Sequence, residues 1–341
     1  MQIYLDSFGA YLSVRNGQFW VRLSSGDTHL FAVRQVSAIL LTKGTGMSTD
    51  AALLAVENDI PVLFIDAQTH YPLAQVSSGR PGNIATVRKN QPAFSRSAEG
   101  FGWVADLIAQ KIENQRTLLH SLAETPDAPT GFADDVRLSD KVLASLEQRF
   151  RQWAPPPVWD AAAQESAAST FRGQEGTVSR IYFQKIALYL GEAIEFEGRQ
   201  KRPAYDPFNA VLNYLYGMLY TSVHLALLKN GLDPYLGVLH ADQYGGAPTL
   251  VFDAIEPYRP WADRVAVQLA QSGEINEDCF EPDAEERGLW LSSTGKSVVI
   301  DAMLAFLEEG EPYSGKQVRR KVQIDLDAQR LAVRVKIMGD E

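Results

Sequence analysis

One imidazole and two carboxylates stand in the stretch GVLHADQYGGAPTLVFDAIEPYRP, residues 237–260: His240, Asp253 and Glu256. Core hydrophobes, glycines and prolines surround them. Asp253 and Glu256 are three residues apart, a spacing that puts both carboxylates on one face of a helix. In a strand it would send them to opposite faces. Thr249, just after Pro248, is a candidate cap for that helix. Pro257 removes a backbone donor and favours a kink. His240 closes GLDPYLGVLH, and the glycine-containing loop ADQYGG leads back towards the acids. A third carboxylate, Glu175, interrupts the glycine-flanked polar segment FRGQEGTVSRIYF as it enters a helix. One imidazole with carboxylates suits Mn2+ or Mg2+ with water completing the shell. Zn2+ is less favoured without further His or Cys ligands. The plain alternative is a hydrogen-bonded histidine and two acids that complement a helix dipole.

The chain that must position these groups has 341 residues, enough for about two domains and a sizeable core. No run of about 18 apolar residues appears, so no membrane span is expected. The start, MQIYLDSFGAYLSV, lacks the basic and apolar regions of a signal peptide. A single cysteine, Cys279, excludes an internal disulfide framework and a multi-thiolate metal site. A cytoplasmic protein is the simplest reading. Net charge is −10, which argues against a general nucleic-acid coat. The charge is uneven, however. Residues 274–287 hold seven acids and one Arg, and residues 316–336 hold seven bases and two acids. A local basic face remains open.

Residues 1–75 read as a β-rich domain. In AYLSVRNGQFWVRL the Asn16-Gly17 pair predicts a two-residue hairpin turn, with Val14 opposite Phe19 and Leu12 opposite Val21. HLFAVRQV, AILLTKG and PVLFIDA are further strands, and Ser48 starts a short helix. Residues 76–100, rich in Gly, Ser and Pro, read as a linker. Beyond them the period is helical, notably in WVADLIAQKIENQRTLLHSLAE and DPFNAVLNYLYGMLYTSVHLALLKNGLDP. Residues 153–170 read as a loop or mobile connection. The expected layout is α+β: a small N-terminal β-rich domain (1–75), a linker (76–100) and a larger all-α C-terminal domain (101–341). SSTGKS, residues 292–297, is no phosphate loop, because Trp290 stands where that motif needs glycine.

The order of segments resembles that of a known family, the CRISPR-associated integrase of spacer acquisition. QEGTVSRIYF, EGRQKRPAYDPFNAVLNYLYGMLY, GLDPYLGVLH and TLVFDAIEPYRP carry the resemblance, with support from MSTDAALLAVENDIPVLFID and from KIENQ at residues 111–115. It covers essentially the full length, and residues 121–170 match least. It implies a β-domain joined to a helical catalytic domain. It also implies a Mn2+ or Mg2+ site on Glu175, His240 and Glu256, with Asp253 as an additional acid. Some relatives carry Asp as the last ligand; here that position is Glu256.

The implied activity is metal-dependent cleavage and joining of DNA, in which a 3′-hydroxyl attacks a phosphodiester to insert spacer DNA into a CRISPR array. Such phosphoryl transfer rests on positioning and charge neutralisation. DNA contacts are expected from Arg180, Arg199, Lys201, Arg202, Arg259 and Lys296, although Arg259 equally suits an ion pair beside Glu256. The cluster QVRRKV at 317–322 reads as a solvated helix face. The resemblance implies double-stranded DNA (protospacer and repeat), a second copy of the chain and the small second-numbered CRISPR-associated protein as partners. Rival readings are a non-catalytic DNA-binding scaffold and a small-molecule metallohydrolase.

Overall fold

The computed structural model describes residues 1–76, 85–191, 194–200, 203–240, 247–282 and 288–338. Its N-terminal part is strand-rich. One sheet, in the order β1-β5-β7-β8, comprises β1 (Gln2–Leu5), β5 (Ala38–Thr42), β7 (Val62–Ile65) and β8 (Pro72–Val76). The second, in the order β4-β3-β2-β6, comprises β2 (Tyr11–Arg15), β3 (Gln18–Arg22), β4 (Thr28–Phe31) and β6 (Gly46–Met47). The β2–β3 hairpin has the anticipated register, Val14 opposite Phe19 and Leu12 opposite Val21. Asn16 and Gly17 both adopt positive φ, as the tight turn demands.

Alternation explains how β5 can be buried along its whole length. Ile39 and Leu41 face a core shared with Leu12, Phe19 and Val21 of the second sheet and with Ala51 and Ala55 of α1 (Thr49–Glu57). Ala38 and Leu40 face the other way, joining Leu63 and Ile65 against Leu225 of α6 (Pro207–Lys229). A strand covered on both faces reads as a continuous apolar run, as AILL does. Ser48 caps α1, its hydroxyl accepting from Ala51 N at 3.1 Å.

The rest of the chain is mostly helical. It comprises α2 (Ala85–Ser95), α3 (Ala98–Ala123), α4 (Phe132–Arg151), α5 (Ala161–Leu190), α6, α7 (Thr249–Ala254), α8 (Arg259–Ser272), α9 (Ser293–Glu308) and α10 (Arg320–Ile337). Two short hairpins interrupt it: β9 (Phe280–Pro282) with β10 (Leu289–Leu291), and β11 (Gly310–Tyr313) with β12 (Lys316–Arg319). Helix α6 is long and apolar enough to cross a membrane by length and composition, but 83 % of its most apolar window is buried inside the protein. It is the central core helix, packed against α8, α9 and α10.

The β-rich part docks on α6 through one close approach. A Cβ on Gly217 would lie 1.8 Å from Thr69 O, so only glycine admits the Thr69–His70 turn. Beside it the Thr221 hydroxyl donates to His70 O at 2.5 Å, which leaves it an acceptor for His70 Nδ1 at 3.2 Å.

Several expectations need correction. The stretch read as a linker contains α2 and the start of α3, where Ser97 Oγ accepts from Gly100 N at 2.9 Å. Its Gly, Ser and Pro content hid Val87 and Phe94, seven residues apart and both buried. The stretch 153–170 is not all loop. Asp160 caps α5 by accepting from Ala163 N at 2.9 Å, and the alanine-rich run that follows has high helix propensity. The prolines at 155–157 had dominated the reading. QVRRKV divides between β12 and α10, and its bases are paired rather than merely solvated. Arg319 and Lys321 meet Glu308, and Arg320 meets Glu309 and Glu311.

Candidate functional site

Glu175, His240 and Glu256 come from three separate places in the chain and line one cleft of about 550 Å³, together with Lys111, Gln115, Arg180, Arg199, Tyr216 and Arg259. Each reaches it for a local reason. Glu175 lies inside α5 rather than at a helix entry, and Ser179, one turn on, donates to its Oε1 at 2.9 Å. Glu256 does not continue the helix of Asp253. α7 ends at Ala254, and Glu256 opens a 3-10 turn, Glu256–Tyr258, with Pro257 inside it. Asn114 of α3 donates to Pro257 O at 2.7 Å and ties this turn to the helix that carries Lys111.

Asp253 takes a different part from its neighbour. It is 1 % exposed, and its Oδ2 accepts from the backbone N–H groups of Val238 and Leu239 at 2.6 and 3.2 Å. Its Oδ1 lies 2.6 Å from His240 Nδ1. A carboxylate only accepts, so Nδ1 carries the proton that faces Asp253, and Nε2 is the ring nitrogen left for another partner. Gly237 makes this hairpin-like approach possible, since a Cβ there would lie 2.6 Å from the Thr249 carbonyl carbon. Thr249 does not cap α7 as expected. Its buried hydroxyl donates to Tyr235 O at 2.9 Å and accepts from Gly237 N at 3.0 Å, fastening the same approach.

The two glutamates are bridged by a lysine. Lys111 of α3 is 4 % exposed, and its ammonium donates to Glu175 Oε1 and, at 2.6 Å, to Glu256 Oε2. Glu256 Oε1 accepts from Arg259 Nε at 2.8 Å. Burial works against ionisation of Glu256, but Arg259 and Lys111 outweigh it and bring its pKa down to about 2. Burial likewise opposes the charge on Lys111, and Glu256 and Glu175 outweigh it, raising that pKa. The cluster is therefore ionised throughout, with two anions against two cations.

The wall behind it is aromatic. The Arg199 and Arg259 guanidiniums each lie 5.0 Å from the Tyr216 ring centre, and Arg259 also donates to Tyr220 Oη at 2.7 Å. Arg199 is further held by the amide oxygens of Asn209 and Asn213 at 2.9 and 2.7 Å. Beneath Tyr216 the buried Asp263 accepts from its hydroxyl at 2.6 Å and from that of Tyr182 at 3.0 Å. Burial pushes Asp263 up to about 6 despite both bonds.

Of the basic candidates, Arg180, Arg199 and Arg259 border the cleft. Lys296 does not line it; its ammonium meets Gln68 Oε1 in the β-rich part. Lys201 and Arg202 lie outside the described residues. Sequence reasoning gave no role to Lys111, Gln115, Tyr216 or Tyr220. Lys111 and Gln115 lay in the quoted KIENQ, four residues apart and therefore on one helix face.

The donor chemistry of Glu175, Glu256 and the Nε2 of His240 fits a hard divalent ion. The cation already lodged between the carboxylates shows that this space favours positive charge. As the side chains stand, no three of His, Cys, Asp and Glu among the described residues converge tightly enough to hold an ion. Lys111 stands between two of the three, bonded to both Glu175 and Glu256.

Comparison with known proteins gives the family and the fold. The sequence profile described as CRISPR associated protein Cas1 matches residues 3–304. CRISPR-associated endonuclease Cas1 1 of Archaeoglobus fulgidus is 27% identical over 329 residues, covering 93% of this chain and 91% of its own length. Two solved structures share the fold. A Cas6-RT-Cas1–Cas2 complex superposes with a TM-score of 0.78 at 22% identity, over 99% of this chain and 35% of that one. A casposase bound to integration product superposes with a TM-score of 0.76 at 18% identity, over 100% of this chain and 92% of that one.

Proposed function

This chain belongs to the CRISPR-associated protein Cas1 family, and on that premise we propose that it is a metal-dependent DNA endonuclease and integrase that inserts spacer DNA into a CRISPR array. The observation that carries the reading is the convergence of Glu175, His240 and Glu256 on one cleft, with His240 oriented by a fully buried Asp253. The name endonuclease borne by the Archaeoglobus relative and the integration product held by the casposase support it.

Glu175, Glu256 and His240 Nε2 would hold Mn2+ or Mg2+. When bound, the ion supplies Lewis-acid activation of the attacking 3′-oxygen and neutralises charge on the phosphate. The chain's own residues do the rest. Asp253 fixes the ring plane and tautomer of His240, so that Nε2 faces the cleft as an acceptor. The 3-10 turn presents Glu256 with its second oxygen occupied by Arg259, which limits its rotation. Arg180, exposed at the cleft rim, and Arg199, braced against Tyr216, offer phosphate contacts beside the reacting atoms. Water in place of the 3′-hydroxyl would give strand cleavage at the same site.

The proposal extends to partners and place. Double-stranded DNA, protospacer and repeat, is the substrate. The β-rich part, residues 1–75, is proposed as the self-association unit, since β4 and β8 end its two sheets as open edges. The small second-numbered CRISPR-associated protein, Cas2, is the proposed bridge between dimers, supported by the Cas1–Cas2 complex that shares this fold. The setting is the prokaryotic cytoplasm.

The test is strand transfer by the purified full chain on a labelled branched DNA, with Mn2+ or with excess chelator. His240→Ala, matched to wild type for thermal stability, is run alongside. Product that requires Mn2+ and disappears in the variant is expected. DNA binding without metal-dependent product, even with Cas2 added, would establish the non-catalytic scaffold instead.

A further inference from the structure

The Lys111 bridge has a partner one turn along the same helix. Gln115 is 1 % exposed, lines the same cleft, and its Oε1 has no hydrogen-bond donor among the described residues. Buried acceptors are rarely left without a donor, because such a group has given up water for nothing. The i, i+4 spacing on α3 puts Lys111 and Gln115 on one face. The ammonium and the orphan oxygen therefore share both a helix face and a cavity.

Charge balance gives the pair a purpose. Two carboxylates, Glu175 and Glu256, face two cations, Lys111 and Arg259, in a largely buried cluster. A divalent ion on Glu175 Oε1 and Glu256 Oε2 would stand against the ammonium that already occupies both oxygens, and the two cations repel at that distance. Arg259 has further anchors, since it bonds Tyr220 and lies over two aromatic rings. Lys111 is held by the two glutamates alone among its described polar contacts. It is the cation that can move.

We propose that Lys111 is a placeholder cation, which holds Glu175 and Glu256 together until a divalent ion displaces it, and that Gln115 Oε1 receives the displaced ammonium. The lysine keeps its proton throughout, and no bond is made or broken beyond hydrogen bonds. The inference rests on the metal reading of the cleft and adds a gate to it. The protein avoids two bare, mutually repelling carboxylates before the ion arrives, at the expense of some metal affinity.

Binding, not activity, tests it. Free Mn2+ is counted by electron paramagnetic resonance as it is titrated into the full chain, for wild type, Lys111→Met, Gln115→Leu and the double variant. Thermal unfolding is followed in chelator and in excess Mn2+. Lys111→Met is expected to bind Mn2+ at least tenfold more tightly, to melt lower in chelator and to gain more from Mn2+. Gln115→Leu is expected to bind about three- to tenfold more weakly than wild type, yet to have no effect in the Lys111→Met background. Equal or weaker binding by Lys111→Met would overturn the placeholder role. Weakening by Gln115→Leu in both backgrounds would overturn the retreat, because Gln115 would then act on the ion's own shell. Lys111→Gln gives the same comparison if the methionine variant does not fold. Absence of Mn2+ binding in every variant would instead remove the metal reading on which the proposal stands.

Discussion

Asp253 holds His240 by its Nδ1 at 2.6 Å while its other oxygen gathers two backbone N–H groups of the same loop. A single buried carboxylate thus fixes both the ring and the chain that carries it. Asp253→Asn keeps the size of the side chain but brings an amide group against these donors. We expect strand transfer to fall at least 100-fold and Mn2+ affinity to fall about 10- to 100-fold, as for other lost partners of a ligating histidine. Initial rates over a Mn2+ titration would check this. Undiminished activity would mean that His240 needs no orienting carboxylate.

Gly217→Ala tests the docking of the β-rich part. The added Cβ would sit 1.8 Å from Thr69 O, against backbone that cannot rotate away. A loss of about 2–4 kcal/mol in stability is expected, at the upper end for overpacking. Denaturant unfolding would measure it. A change below about 0.5 kcal/mol would show that the turn shifts freely on α6.

Acid should loosen the same junction. Burial lowers His70 and His224 to about 4, well below the ordinary value of 6.5. Each contributes stability that is fully present above pH 6.5 and is lost as pH falls from 6.5 to 4, roughly 3 kcal/mol per histidine. Asp263, raised to about 6 from 3.8, works the other way, losing stability as pH rises through that window. Two histidines outweigh one carboxyl, so net stability is expected to drop between pH 6.5 and 4. His70→Asn should flatten the pH profile, and an unchanged slope would exonerate His70.

Phosphate contacts can be separated from paired surface charge. Arg199→Ala should weaken binding to duplex DNA alike for all sequences and lower the salt slope by about 1. Lys321→Ala, whose ammonium is already paired with Glu308, should change neither. Anisotropy titrations at several salt concentrations distinguish the two. Equal effects would assign DNA binding to overall charge rather than to the cleft.

The hairpin at Asn16-Gly17 and the helix capped by Ser48 were legible because local rules decide them. Period-2 alternation and a side-chain cap need nothing from distant sequence. That Glu175, His240 and Glu256 belong together was legible through residue type and motif order, and the three line one cleft. Lys111 was not, because a lysine within a helical run reads as surface, and only tertiary packing brings Glu175 and Glu256 to it from 64 and 145 residues away. Thr249 misled for a related reason. Its spacing from Pro248 suited a cap, but Tyr235 and Gly237 offered its hydroxyl buried partners that no local pattern displays. α2 was hidden by composition, since its few buried residues are outnumbered by polar ones and Pro92 stands within it.

Helix α6 carries the β-rich part on one side and the cleft wall on another. Gly217 and Thr221 receive the Thr69–His70 turn, while Tyr216 and Tyr220, their immediate neighbours in sequence, back Arg199 and Arg259. Gly217 leaves no slack at the contact, so the seam with the strand-rich part and the wall behind both guanidiniums are built on one short stretch of helix.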